Sequence, residues 1–210
     1  MHDQPTEADR DTDCGQHQQR RSRRDIDRVP ELLDRYRDHE LIRPFERTAG
    51  DEVQAVCEEA AIVVSIALEL VSTPHWSVGI GIGSVELPLP ETTRAGRGPA
   101  FEAARDAVTR AKNAPAALAV SGPYAAAAED AETASTLVAL LVGRRSDQGR
   151  EAVELMARGL SQTDAAERLK ISKQAMSQRL SVAGWHVENA GRTLATRLLD
   201  TANTTGSHRS

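Results

Sequence analysis

The sequence predicts an α+β domain over residues 29–143, followed by an all-α domain over residues 144–200. In the first domain, short extended-type apolar runs alternate with longer runs of helical periodicity, so we expect helices that cover one sheet. In the second domain, every apolar run has helical spacing. Residues 1–28 and 201–210 are polar and hold few side chains that could be buried, which predicts disordered tails.

Local signals define the elements of the first domain. Pro30 suits the first turn of a helix, and the turn residues Gly50 and Asp51 lie between two extended runs, which predicts a hairpin. A strongly apolar helix follows and ends at Ser72, stopped by Thr73 and the proline after it. The predicted elements are, in order, a helix over 30–40, strands over 45–48 and 53–57, a helix over 58–72, a strand over 76–82, a helix over 101–112, a strand over 116–120 and a helix to about residue 142.

Two serines mark helix starts in the second domain. Ser161 is followed three residues later by Asp164, as in a capping box, and Ser172 can cap the next helix. Ile171, in the three-residue turn between these helices, is placed to fill a core. Two short capped helices joined by such a turn predict a helix-turn-helix. The predicted helices cover residues 148–158, 162–169, 173–182 and 185–199, and part of the last one can form a dimer seam.

Charge is distributed unevenly along the chain. Residues 144–197 hold ten Lys and Arg against six Asp and Glu, a net charge of +4, so the remainder carries −9 of the chain's total of −5. A basic segment on an acidic protein favours a nucleic-acid partner. The alternative is a solvated helical surface.

The outward face of the helix over 173–182 carries the candidate base-reading side chains. Lys and Arg can bind guanine, Gln can bind adenine and Ser can bind either, and the N-terminal end of such a helix enters the major groove. Hydroxyls at helix starts are placed to hold phosphates. The candidates for base contact are Lys173, Gln174, Ser177, Gln178 and Arg179; those for phosphate contact are Ser161, Thr163 and Ser172, with Arg144, Arg145 and Arg168 at the rim. The alternative is a helical hairpin used only for packing.

The run AAERLKISKQAMSQRL, residues 165–180, resembles the helix-turn-helix of bacterial regulators. It is close to the DNA-binding domains of LuxR-type regulators and to region 4 of sigma factors. The resemblance implies double-stranded DNA as the partner. Lys170 stands where a glycine is usual, and because a left-handed conformation is costly for lysine, we expect a tighter or differently shaped turn.

The first domain carries motifs that resemble the core of class III nucleotidyl cyclases and diguanylate cyclases. They resemble more closely the SatD family, whose members combine a cyclase-like domain with a C-terminal helix-turn-helix. This resemblance implies a ferredoxin-like, cyclase-like sheet. The motifs are TAGDEVQA at 48–55, GIGIG at 79–83, GPAF at 98–101 with Ala104 and Arg105, and Ala111 with Lys112.

One expected strand of this family is not recognisable. The catalytic arrangement of cyclases needs a second carboxylate after a preceding central strand, and residues 15–24, where that strand should lie, are rich in Gln and Arg without apolar alternation. We therefore expect a sheet that lacks its first strand. Asp51 is then a weak candidate metal ligand, more simply explained as a turn residue, and the sequence predicts neither catalytic residues nor a cofactor.

Gly79, Gly81 and Gly83 lack the spacing of a dinucleotide-binding loop. Each is expected to permit close packing of a neighbouring element over the strand.

Several classes of protein are excluded by composition. No run of 18 apolar residues is present to span a membrane, and the polar N-terminus does not resemble a secretory signal. Cys14 and Cys57 offer neither a disulfide framework nor a zinc knuckle. These features predict a cytoplasmic protein.

The sequence therefore predicts a DNA-binding transcriptional regulator, not an enzyme, in which a non-catalytic cyclase-like domain serves sensing or oligomerisation. Because most helix-turn-helix proteins bind two half-sites, we expect a homodimer. Two alternatives stay open: a divalent-metal-dependent enzyme that binds nucleotides or transfers nucleotidyl groups, and a protein-interaction module.

Overall fold

The computed structural model describes residues 27–73 and 75–204. The predicted tails lie largely outside this part, as residues 1–26 and 205–210. The described chain is a mixed α+β protein, as the sequence predicts. In chain order its elements are α1 (Val29–Arg35), β1 (Arg43–Arg47), β2 (Val53–Val56), α2 (Ala60–Val71), β3 (Val78–Gly81), a 3-10 turn (Thr93–Ala95), α3 (Pro99–Ala111), β4 (Leu118–Ser121), α4 (Ala125–Gly143), α5 (Asp147–Ala157), α6 (Gln162–Arg168), α7 (Lys173–Val182) and α8 (Trp185–Thr204).

The strands form two separate sheets of two strands each. Strands β1 and β2 pair antiparallel as a hairpin with a bulge in β1. Strands β3 and β4, which precede and follow helix α3 in the sequence, pair parallel. The expectation of one sheet is therefore wrong for the described residues. Strands β2 and β3 do not pair with each other, and a groove of about 680 Å³ adjoins both of them. The four strands therefore do not form one sheet.

Helix α3 packs directly on the glycines of β3. A Cβ atom on Gly79 would lie 2.2 Å from the backbone nitrogen of Val108, and one on Gly81 would lie 2.2 Å from the carbonyl oxygen of Ala100. No side chain fits in that space, so the close packing predicted for these glycines is confirmed.

The largest hydrophobic core lies between α2, the β3–β4 pair, α4 and the C-terminal half of α8. Its members include Val64, Leu68, Leu118, Val120 and Leu199. Helices α4 and α8 cross closely, since a Cβ on Gly191 would lie 2.7 Å from Val138.

Helix α8 extends beyond its predicted end. It continues to Thr204, and Ala202 is only 1% exposed in the main core. The predicted tail is therefore wrong for residues 201–204, because burial of Ala202 in the main core stabilises this last turn of the helix.

Helix α1, by contrast, ends earlier than predicted, at Arg35. The next residue, Tyr36, is buried and contacts the rings of His39 and Phe45. These tertiary contacts end the helix where local periodicity would have continued it.

A second hydrophobic core joins α5, α6 and α7. Its buried residues are Ala152, Leu155, Ala165, Ala166, Met176 and Leu180, and Trp185 at the start of α8 packs against them. Of the helices in the described residues, none combines the length and the apolar character needed to cross a bilayer.

Candidate nucleic-acid interface

Serine side chains cap all three short helices of the second core. The Ser161 hydroxyl accepts the backbone N–H of Asp164 at 3.2 Å, and the Ser172 hydroxyl accepts that of Ala175 at 3.1 Å. Both caps agree with the sequence prediction. A third cap was not predicted: Ser146 accepts the N–H of Gly149 at 3.1 Å and begins α5 at Asp147. Each cap satisfies one backbone donor that the helix itself leaves unpaired.

The turn between α6 and α7 has the hydrogen bonds of a Schellman motif. The N–H of Ile171 donates to the carbonyl of Ala166 at 3.0 Å, and that of Lys170 donates to the carbonyl of Glu167 at 3.1 Å. Lys170 adopts the left-handed conformation, with a φ of +54°. The expectation of a differently shaped turn is therefore wrong, because lysine takes the conformation that a glycine would take.

Buried side chains fix α7 against its neighbours. Met176 and Leu180 are fully buried, and Ile171 packs against the same cluster from the turn, as predicted. Because these residues face inward, the opposite side of α7 faces solvent.

The outward face of α7 carries the candidate base-reading residues. Lys173, Gln174, Ser177 and Gln178 are exposed, and Arg179 is half-buried beside them. Among the described residues, neither Lys173 nor Arg179 forms an ion pair. Their charges are therefore not neutralised within the described part of the chain.

The candidate phosphate contacts differ in their availability. Ser172 uses its oxygen as an acceptor and keeps its hydroxyl proton for a further bond. The Ser161 hydroxyl donates to Asp164 Oδ2 at 2.7 Å, so this proton is already engaged. Thr163, in the first turn of α6, is half-buried. The geometry favours Ser172 as the phosphate contact.

Arg145 does not lie at the rim, where the sequence analysis places it. It is 9% exposed; its Nε donates to the Ala183 carbonyl at 2.8 Å and its NH2 donates to Glu188 at 2.5 Å. Arg192 donates to the other oxygen of Glu188 at 2.8 Å. Arg145 is buried because the buried carboxylate of Glu188 needs a cationic partner; Arg145 binds one of its oxygens and Arg192 binds the other.

Glu188 was missed as an important residue. Burial raises the pKa of its carboxyl, but the hydrogen bonds and charges of Arg145 and Arg192 outweigh burial, so the pKa is lowered. The four-residue spacing to Arg192 is a signal that sequence reasoning could have used. The spacing to Arg145 carries no such signal.

Asp51 lies exposed at the hairpin tip, and its neighbour Glu52 pairs with Lys112 at 3.8 Å. Among residues 27–73 and 75–204, no three His, Cys, Asp or Glu side chains are grouped as a metal site would need. The hairpin tip therefore holds two carboxylates: that of Asp51, in the turn, and that of Glu52, which is paired with Lys112.

The second core thus presents a capped helix with free cations, amides and hydroxyls on one solvent-facing side. This set can donate hydrogen bonds to phosphates and to base edges. No family model, curated protein or solved structure matches the chain.

Proposed function

We propose that the chain is a DNA-binding transcriptional regulator of the bacterial cytoplasm, in which α6 and α7 form a helix-turn-helix. The observation that carries this proposal is the exposed face of α7, whose cations have no ion-pair partner among the described residues while its inner face is fixed by a buried core. A rigid helix with such a face suits insertion into the major groove.

Each side chain on this face has a role that follows from its chemistry. Lys173 and Arg179 would bind guanine, and Gln174 and Gln178 would bind adenine, while Ser177 suits either. The remaining contacts position the helix on the backbone. Ser172, the free N–H groups of the first turn of α7, Thr163 and the rim residue Arg168 would hold phosphates, and Ser161 would do so after release from Asp164.

The α+β part would be a non-catalytic, cyclase-like domain of the SatD type with a ferredoxin-like ancestry. Asp51 belongs to no metal-type cluster among the described residues, which supports a non-catalytic role, and β2 and β3 do not pair with each other, which supports a sheet that lacks one strand. This domain would serve sensing or oligomerisation.

The regulator would act as a homodimer on double-stranded DNA. Exposed apolar residues on the crossing helices α4 and α8 support this proposal: Leu137, Val187 and Leu194 are 64%, 59% and 41% exposed. Sedimentation velocity tests it, since the wild type should sediment as a dimer and Val187→Glu as a monomer. A wild type that stays monomeric at high protein concentration contradicts the dimer.

A pull-down of genomic DNA fragments, followed by sequencing, tests the proposed function. The wild type should enrich fragments that share a motif. Lys173→Glu places a negative charge where α7 would meet phosphates and should enrich none. Failure of the wild type to retain any fragment would instead favour the protein-interaction module.

The enzyme alternative has its own test. Nucleoside triphosphates are incubated with the protein and Mg²⁺ or Mn²⁺, and Asp51→Ala is compared with the wild type. We expect no turnover in either. Turnover that Asp51→Ala abolishes would replace the proposal with nucleotidyl transfer.

A further inference from the structure

The groove beside β2 and β3 is lined by consecutive residues of both strands. Residues 51–58 and 75–85 all contribute to its surface, and α2 and α3 form its walls. Its volume is about 680 Å³. A groove that follows two strands along their length exposes main chain as well as side chains.

One edge of β3 faces this groove unpaired. The N–H of Val78 donates to the Ala117 carbonyl and that of Ile82 to the Ser121 carbonyl, each at 2.8 Å. In a parallel pair, alternate residues bond to the same neighbour, so Gly79 and Gly81 direct their N–H and C=O groups away from β4. Within the described residues, β4 is the only strand paired with β3.

Strand β2 likewise has one edge that is not paired with another strand. The N–H of Thr48 donates to the Glu52 carbonyl at 2.9 Å, and Glu46 lies opposite Gln54. Residues 52 and 54 therefore bond to β1, and Val53 and Ala55 direct their N–H and C=O groups to the other side. The groove thus adjoins two open strand edges, each with free donors and acceptors.

The side chains around the groove determine which kind of ligand can bind between β2 and β3. The walls are largely apolar, and the rim is acidic, with four carboxylates against two cations. The apolar wall residues include Val63, Ala67, Phe101, Ala104 and Val108; the charged residues are Asp51, Glu52, Glu58, Asp200, Arg105 and Lys112. An extended peptide with apolar side chains and basic ends matches both the walls and the rim.

The chain's own N-terminal segment does not have this composition. Residues 1–26 contain four apolar residues, scattered at Met1, Ala8, Cys14 and Ile26. A strand between two apolar walls needs successive apolar side chains. Residues 1–26 therefore do not match the apolar walls of this groove.

We propose that this groove binds an extended, apolar segment of a partner protein as a strand between β2 and β3. The inserted strand would join the two sheets into one of five strands and satisfy both open edges. This proposal is independent of DNA binding by α7.

A labelled peptide with the sequence acetyl-Lys-Val-Thr-Val-Ile-Val-Lys-amide, titrated into the full chain and followed by fluorescence anisotropy, tests the proposal. Binding should saturate. A peptide N-methylated at alternate residues keeps its side chains but loses donors to one edge, so its affinity should fall by about tenfold or more.

A variant and an exchange measurement complete the test. Ala55→Pro removes a donor that faces the groove without removing a bond to β1 and should weaken binding similarly, whereas the control Leu87→Ala, at an exposed position that does not line the groove, should not. Equal affinity of the two peptides, or no saturable binding, overturns the proposal. Slow amide exchange at Val53, Ala55, Gly79 and Gly81 in the free chain also overturns it, because the chain would then cover its own groove.

Discussion

Lys170 occupies the bend between α6 and α7 in a left-handed conformation, with a φ of +54°. A residue with a Cβ atom is strained there, typically by about 1 kcal/mol or more. The Schellman hydrogen bonds of Ile171 and Lys170 hold the backbone in place nevertheless. The left-handed conformation of Lys170 therefore lowers the stability of the fold locally.

Lys170→Gly should relieve this strain and raise the free energy of unfolding by roughly 0.5–1 kcal/mol. Urea denaturation measures the change. Lys173→Gly, at an exposed and regular helical position of α7, is the matched control and should lower stability. Equal losses in both variants would contradict the strain at Lys170.

Between elements, a buried ion cluster joins three helices, α4, α7 and α8. Arg145 follows α4, Ala183 ends α7, and Glu188 and Arg192 belong to α8. Because Arg145 and Glu188 are buried, the cluster fixes how α7 packs on α8 and the end of α4. A buried charge that loses its partner is strongly destabilising.

Arg145→Met should therefore lower the free energy of unfolding by about 3 kcal/mol. Thermal and urea denaturation measure the loss. Arg144→Met, an exposed neighbour without an ion pair in the described part of the chain, is the control and should change stability little. A loss equal to that of the control would show that the cluster contributes nothing.

The same cluster predicts a dependence on pH. The folded-state pKa of Glu188 lies below its ordinary value of 4.5. The ionised carboxylate therefore stabilises the fold fully above about pH 4.5, and this stabilisation is lost as the pH falls through the folded-state pKa. The difference in unfolding free energy between wild type and Glu188→Gln should be constant above about pH 5.5 and shrink below it. A difference that does not change down to the acid limit would contradict the lowered pKa.

The contact of β3 with α3 gives a further prediction. Gly81→Ala would bring a Cβ within 2.2–2.3 Å of backbone atoms of Ala100 and Ala104, so it should destabilise by about 3 kcal/mol. Gly143→Ala is the matched control, since nothing lies within 4 Å of its Cβ position. It should be neutral or stabilising. Calorimetry distinguishes the two variants.

Elements with local signals could be predicted from the sequence, and those that depend on distant contacts could not. The start of α7 follows from the Ser172 cap, and the predicted bounds, 173–182, are correct. The separation of β2 from β3 and the burial of Arg145 depend on partners far along the chain. Of the candidate site, the exposed face of α7 was predictable, and the engagement of Ser161 by Asp164 was not.

At the scale of the whole molecule, α8 connects the two cores. Trp185 packs against the core of α5–α7, Leu199 lies in the main core, and Asp200 and Asn203 line the groove beside β2 and β3. One continuous helix therefore runs from the proposed DNA-binding unit to the proposed peptide groove.

Binding of base edges by the solvent-facing side of α7 can be measured in a single titration. Fluorescence anisotropy measures the affinity for a duplex recovered in the pull-down, with wild type, the double variant Gln174→Ala/Arg179→Ala and the control Arg37→Ala, an exposed arginine after α1. We expect wild-type affinity that falls steeply with salt, the same affinity for the control, and a loss of about tenfold or more for the double variant. Undiminished binding by the double variant would show that α7 does not contact the bases.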